Sequence, residues 1–177
     1  MADQTEDDKE FDLPERFTDE PESETEGEMP PVMINGQYIK DLSFEAPNTP
    51  AVFEKMQAQM PEISVEVDLN ASALGDNHYE LSLKIRAEAK VEEMVAYLIE
   101  LEYAGVFTLE VPQEHLGAVL LIECPLILFP FARRIIADNT SDGGFAPLML
   151  APIDFAALYT EKVAQQQAAE EEPVGNA

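Results

Sequence analysis

The chain is expected to fold as an α+β domain, a four-stranded antiparallel sheet with two helices packed on one face. Three observations predict it. Apolar and polar residues alternate with a period of two over Ile63–Asn70, Tyr79–Ala89 and Met94–Val106, the pattern of strands that bury one face. Gly75, Asp76 and Asn77 join the first two of these segments with the residues a tight turn needs, which makes them an antiparallel hairpin. Beyond them the apolar spacing becomes helical, and strands followed by helices point to helices laid on a sheet.

The first strand is read over Val32–Phe44, rich in β-branched and aromatic residues, with Gly36 permitting a bulge. Pro47, Asn48, Thr49 and Pro50 break it. Thr49 is placed to cap and Pro50 to start a short helix carrying Phe53, Met56 and Met60, which Pro61 stops. In the second strand Ile63, Val65, Val67 and Leu69 alternate with Ser64, Glu66, Asp68 and Asn70. In the third, Tyr79, Leu81, Leu83, Ile85, Ala87 and Ala89 share one parity, and Glu80, Lys84, Arg86 and Glu88 the other. The fourth sets Val95, Tyr97, Ile99, Leu101 and Tyr103 on one face; Leu98 falls on the opposite face with Glu100 and Glu102. An outward leucine between carboxylates is usually without a role, but it can anchor a basic, apolar peptide.

Leu128, Phe129, Ala132, Ile135, Ile136 and Asn139 follow helical spacing; Pro130 either opens or kinks that helix, and Gly143 and Gly144 end it. Asp154 caps a second helix with a stripe of Phe155, Leu158, Tyr159 and Val163. The stretch Cys124–Phe155 concentrates Leu, Ile, Phe and Met between prolines and a glycine pair. Such interruptions should keep it from closing into one long helix and leave apolar groups within reach of solvent.

Charge separates tails from domain. The 177 residues carry a net charge of -26, and residues 1–31 alone hold 13 acids and 2 bases. That segment, and the end after about Gln167, should be disordered acidic tails around a domain spanning 32–167. The acidic balance argues against nucleic acid, whose phosphates need lysine and arginine. The opening MADQTEDDKE has neither the basic start nor the apolar core of a secretory signal, and no segment is read as approaching a membrane span, so a soluble, cytoplasmic protein is expected.

Catalytic chemistry is not apparent. His78 and His115 stand far apart with no ligand spacing around them, so no metal is expected, and the glycines match no phosphate-cradling pattern, so no cofactor is expected. Glu114 and His115 read as polar loop positions. Cys124 precedes a proline in apolar surroundings with no basic neighbour, which favours a packed, unreactive thiol. The chain is not expected to be an enzyme.

Four segments, DLSFEAPNTPAVF, AYLIELEYAGVF, CPLILFPFARRII and FAPLMLAPIDFAALY, resemble in sequence and order the bacterial protein-export chaperone family SecB, over about Met33–Gln167. The resemblance implies a homotetramer, a dimer of dimers with helices between two four-stranded sheets, that binds unfolded preproteins and delivers them to the SecA motor ATPase. It places the contact for the motor's basic, zinc-bearing carboxyl-terminal tail on Asp41, Glu45, Leu98 and Glu100. It places a client groove on Ile63, Val65, Val67, Tyr97, Phe131, Leu148, Leu150, Phe155 and Tyr159. By patterning alone, alternating valines and a helical Phe-Leu-Tyr stripe are more often the marks of an ordinary core. The competing reading is an acidic oligomeric scaffold that captures a basic partner protein through its tail.

Overall fold

The computed structural model describes residues 31–171. Tail assignments to residues 1–30 and 172–177 lie outside the described residues. Strands β1 (Val32–Glu45), β2 (Glu62–Gly75), β3 (His78–Val91) and β4 (Met94–Leu109) form one sheet in the order β1-β4-β3-β2. Every neighbouring pair is antiparallel. The β2–β3 turn holds Asp76 and Asn77 at φ 47° and 62°, a left-handed pair that these two residue types tolerate better than most. The ladder between β1 and β4 shifts register at Ile34/Gly36, where the sequence predicts a bulge, and again at Ile39/Asp41.

Helix α1 (Ala51–Ala58) follows β1, with Pro50 at its cap position. Thr49 does not cap it: its hydroxyl donates to the Ala46 carbonyl at 2.9 Å, within the preceding turn. Met60 lies past the end of the helix, 87% exposed.

A single helical run then crosses the inner face of the sheet. It comprises α2 (Gln113–Ala118), a π-turn at Val119–Glu123, and α3 (Cys124–Asp142). The stretch Cys124–Phe155 does not close into one helix, since α3 ends at Asp142, but two expectations of detail change. First, prolines are accommodated inside the helical run: Pro125 follows directly on the π-turn, where the regular i to i−4 bonding is already interrupted, and Pro130 lies within α3, neither opening nor ending it. Pro130 is exposed, and so is Leu126, whose carbonyl it leaves unpaired, so the orphaned acceptor lies on the solvent stripe. Second, the run Gln113–Asp142 is long and apolar enough to cross a membrane by length and composition, with a mean hydropathy of 1.9 over its most apolar window. Glu114 and His115 sit in the first helical turns of this run rather than in a loop.

Gly143 and Gly144 end α3 as expected, Gly144 at φ 86°. A connection without regular structure leads to α4 (Phe155–Glu171), whose Ala157 N–H is capped by the Asp154 carboxylate at 3.0 Å. The helix extends to Glu171.

The core lies between the inner sheet face and α3. Leu81, Leu83, Ile85, Ala87 and Ala89 of β3 and Tyr97, Ile99, Leu101 and Phe107 of β4 are buried, against Cys124, Leu128, Ala132 and Ile136 of the helix. Gly105 lets the two layers approach closely: a Cβ there would stand 2.8 Å from Leu128. Burial pushes the Cys124 thiol up to about 12, consistent with a packed, unreactive group.

Candidate functional site

The outer face of the sheet is polar and predominantly acidic. Register sets its layout: Asp41 stands opposite Glu102, Ser43 opposite Glu100 and Glu45 opposite Leu98, so Asp41, Glu45, Leu98 and Glu100 share one patch across β1 and β4. Asp41, Glu45 and Glu100 are exposed, and Leu98 is half-buried between Glu45 and Glu88 of the flanking strands. The patch continues across β3 to β2, where Asp41, Glu66, Asp68, Lys84, Arg86, Glu100 and Glu102 border a shallow depression of about 320 Å³.

The few cations on this face are engaged. Arg86 approaches Glu100 at 3.2 Å, Glu88 at 3.7 Å and Glu66 at 3.9 Å; Lys40 reaches Glu80 at 3.0 Å and Glu102 at 3.7 Å. The Ser82 hydroxyl, then Lys84 and Lys40, hold the Glu102 carboxyl below the usual glutamate range. The Tyr38 hydroxyl and Lys40 do the same for Glu80, and Lys90 for Glu88. These three carboxylates therefore stay ionised, and the face remains acidic well below neutral pH.

The inner face is apolar but unevenly covered. α3 lies over β4 and β3, and β2 extends beyond it. Ile63 and Val65, which belong to the inner parity, are 42% and 43% exposed. Farther along β2, Val67 and Leu69 line a cavity of about 220 Å³ with Leu121 of the π-turn and Leu158, Tyr159, Glu161 and Lys162 of α4. Lys162 fixes α4 there by donating to the Leu69 carbonyl and pairing with Asp68 at 3.4 Å. Ile63, Val65, Val67 and Tyr159 thus form one open apolar track along β2.

The other residues assigned to a groove are placed differently. Tyr97 is buried, stacked on Phe44 at 5.9 Å and tilted against Phe145 at 4.9 Å. Leu150 and Phe155 are buried, and Phe155 meets Phe129 edge-on at 6.0 Å. They belong to the core and do not face solvent. Phe131 is exposed on α3 but stacks toward Tyr103 of β4 at 6.4 Å, two strands away from β2. Leu148 is half-buried in the connection before α4. Sequence reading misses Leu121 and Leu158 as cavity walls: the π-turn that aims Leu121 has no periodic signature, and Leu158 reads only as part of a helix stripe. It also misses Glu66, Asp68 and Arg86 as part of the outer depression, although their parity already places them there.

One further surface is open. Leu126, Ile127, Pro130 and Phe131 form an exposed stripe along α3, continued by Met149, which is 61% exposed. Among the described residues no cluster of His, Cys, Asp and Glu could hold a metal ion. The His78 Nδ1–H donates to the Asp76 carbonyl at 2.7 Å within its own turn.

Comparison with known proteins places this geometry. The family model for preprotein translocase subunit SecB matches residues 25–166. The protein-export protein SecB of Rhodospirillum rubrum is 51% identical over 148 residues, covering 82% of this chain and 92% of the relative. That of Paramagnetospirillum magneticum is 50% identical over 141 residues, covering 80% and 91%. Among solved structures, a Mycobacterium tuberculosis SecB-like chaperone in complex with a ChAD peptide from the HigA1 antitoxin aligns with a TM-score of 0.59 at 16% identity, over 70% of this chain and 91% of that one; this likeness concerns the fold. With the family model spanning nearly all of the described residues and relatives half identical over the same region, the chain belongs to the SecB family of protein-export chaperones.

Proposed function

We propose that this SecB-family export chaperone holds unfolded preproteins on the apolar track along β2 and passes them to the SecA motor, whose basic, zinc-bearing carboxyl-terminal tail docks on the opposite, acidic face of the sheet. The observation that carries the reading is the separation of the two surfaces: Ile63, Val65, Val67 and Tyr159 on the inner side, and Asp41, Glu45, Leu98 and Glu100 on the outer. A client can therefore stay bound while the motor engages.

An apolar track distinguishes unfolded from folded chains by area, since only unfolded chains offer long accessible apolar stretches. Covering about 1,000 Å² would contribute roughly 25 kcal/mol gross. Ordering a flexible client and desolvating its amides cancels most of this, so each contact stays weak. Four copies convert later contacts into intramolecular ones and raise the overall affinity. The exposed α3 stripe supports a homotetramer, a dimer of dimers, because a contiguous apolar patch of this kind is costly when left in water. Nothing in this scheme requires catalysis, a metal or a cofactor in the chaperone, and a cytoplasmic location suits clients that have not yet been exported.

Light scattering of the purified protein, alone and mixed with a denatured or a folded preprotein, tests the proposal. The expected result is a tetramer that binds only the denatured form. A monomer, or equal binding of both forms, would refute it.

A further inference from the structure

The connection between α3 and α4 carries Leu148, Met149 and Leu150 with no regular structure to hold it. Its hydrogen-bonded tie to α3 centres on Thr140. The Thr140 side chain is fully buried. Its hydroxyl donates back into the helix, toward the Ile136 and Ala137 carbonyls, each at 3.0 Å. The same oxygen accepts the Leu148 N–H at 2.9 Å. The Thr140 carbonyl accepts the Phe145 N–H at 3.1 Å. Main chain and side chain of a single residue thus hold both ends of the tetrapeptide Phe145–Leu148.

Two neighbours complete the anchorage. Phe145 enters the aromatic cluster of Tyr97 and Phe53, at 4.9 Å and 5.1 Å, and a methyl group at Gly143 would collide with the Phe44 ring. These contacts fix where the connection leaves α3. The next three residues alternate in burial, with Leu148 half-buried, Met149 exposed and Leu150 buried. Which side chains face inward depends on the orientation of the peptide at Leu148, which the hydroxyl sets.

We infer that Thr140 is a positioning residue for client binding: its hydroxyl orients the Leu148–Leu150 segment, which runs on directly into α4 and so sets the place of Tyr159 in the apolar track. The inference rests on the proposed groove, and its test separates the two. Valine at position 140 matches threonine in shape but leaves the Leu148 N–H without a partner, whereas serine keeps the hydroxyl.

Dissociation of fluorescently labelled, reduced and carboxymethylated lactalbumin is measured from the full-length protein and four variants. Thr140→Val is expected to speed release about fivefold, the loss of one ordinary hydrogen bond, and Thr140→Ser to stay within about twofold of the parent. Affinity for a lysine-rich peptide, which reads the far face of the sheet, should be the same in both. If Val67→Lys and Tyr159→Ala leave release unchanged, the groove reading falls and the inference with it. If those two variants speed release but Thr140→Val does not, or Thr140→Ser is as impaired as Thr140→Val, the inference alone falls. Hydrogen exchange of the parent protein gives a check independent of any variant: the Leu148 amide should be protected, and exchange at the rate of a free peptide would overturn the assignment.

Discussion

β2 and β3 are paired residue for residue from Glu62–Lys90 to Ala73–Tyr79, and both alternate apolar with polar side chains. On β3 the apolar set is sealed, with Leu81 and Leu83 at 0% and Ile85 at 1% exposure. On β2 the equivalent residues Ile63 and Val65 are more than two-fifths exposed, although they are directly opposite the buried Ala89 and Ala87. The local pattern is the same and the environment differs. α3 packs chiefly on β4 and β3, whereas the π-turn and α4 reach β2 near Val67 and Leu69. Alternation therefore reports which face of the sheet a side chain takes, and the width of the helical layer decides whether that face is core or binding surface.

Substitution on the two strands should separate these environments most sharply. Ile85→Ala on β3 is expected to cost about 2–5 kcal/mol of stability by leaving a cavity under α3, as read by urea denaturation. Val65→Lys on β2 is expected to change stability by no more than about 0.5 kcal/mol and yet weaken binding of an unfolded client at least tenfold. Comparable destabilisation by the two changes would show that β2 is covered in solution.

The comparison between the sheet's two faces gives a second, smaller contrast. Glu100→Lys should reduce affinity for the motor's basic tail about tenfold, with a flatter salt dependence, and leave client dissociation unchanged. Tyr159→Ala should do the reverse, speeding client release severalfold at constant affinity for the tail. Equal loss of both activities in either variant would argue for one shared site.

The smallest effect concerns acid. Glu80, Glu88 and Glu102 have carboxyl pKa values held below the usual range, so the stability they contribute is present above the unfolded-state value and is lost as pH falls through the folded-state values. Glu102→Gln should therefore lower the melting temperature near pH 6 by no more than about 2 °C, with a difference that vanishes on acidification. A difference that grows toward low pH would reverse the assigned sign.

Much of the architecture is legible in the sequence because it is governed by neighbours in the chain. The parity of β3 follows from alternation along one segment, and the Asp76–Asn77 turn, the stop at Gly143–Gly144 and the Asp154 cap each follow from the preferences of one or two residues. Leu98 and Glu100 can be assigned to the outer face for the same reason. The long helical run is not legible from its content of helix breakers, because their effect depends on position: Pro125 directly follows the π-turn, and Pro130 faces outward.

Sequence by itself thus determined the strands, their faces, the chain's acidic character and the family. Tertiary structure alone decided which apolar residues remain open. Tyr97, Leu150 and Phe155 are sealed and Ile63, Val65 and Tyr159 are not, because burial depends on how far one layer extends over another, a distance set by packing between segments remote in the chain.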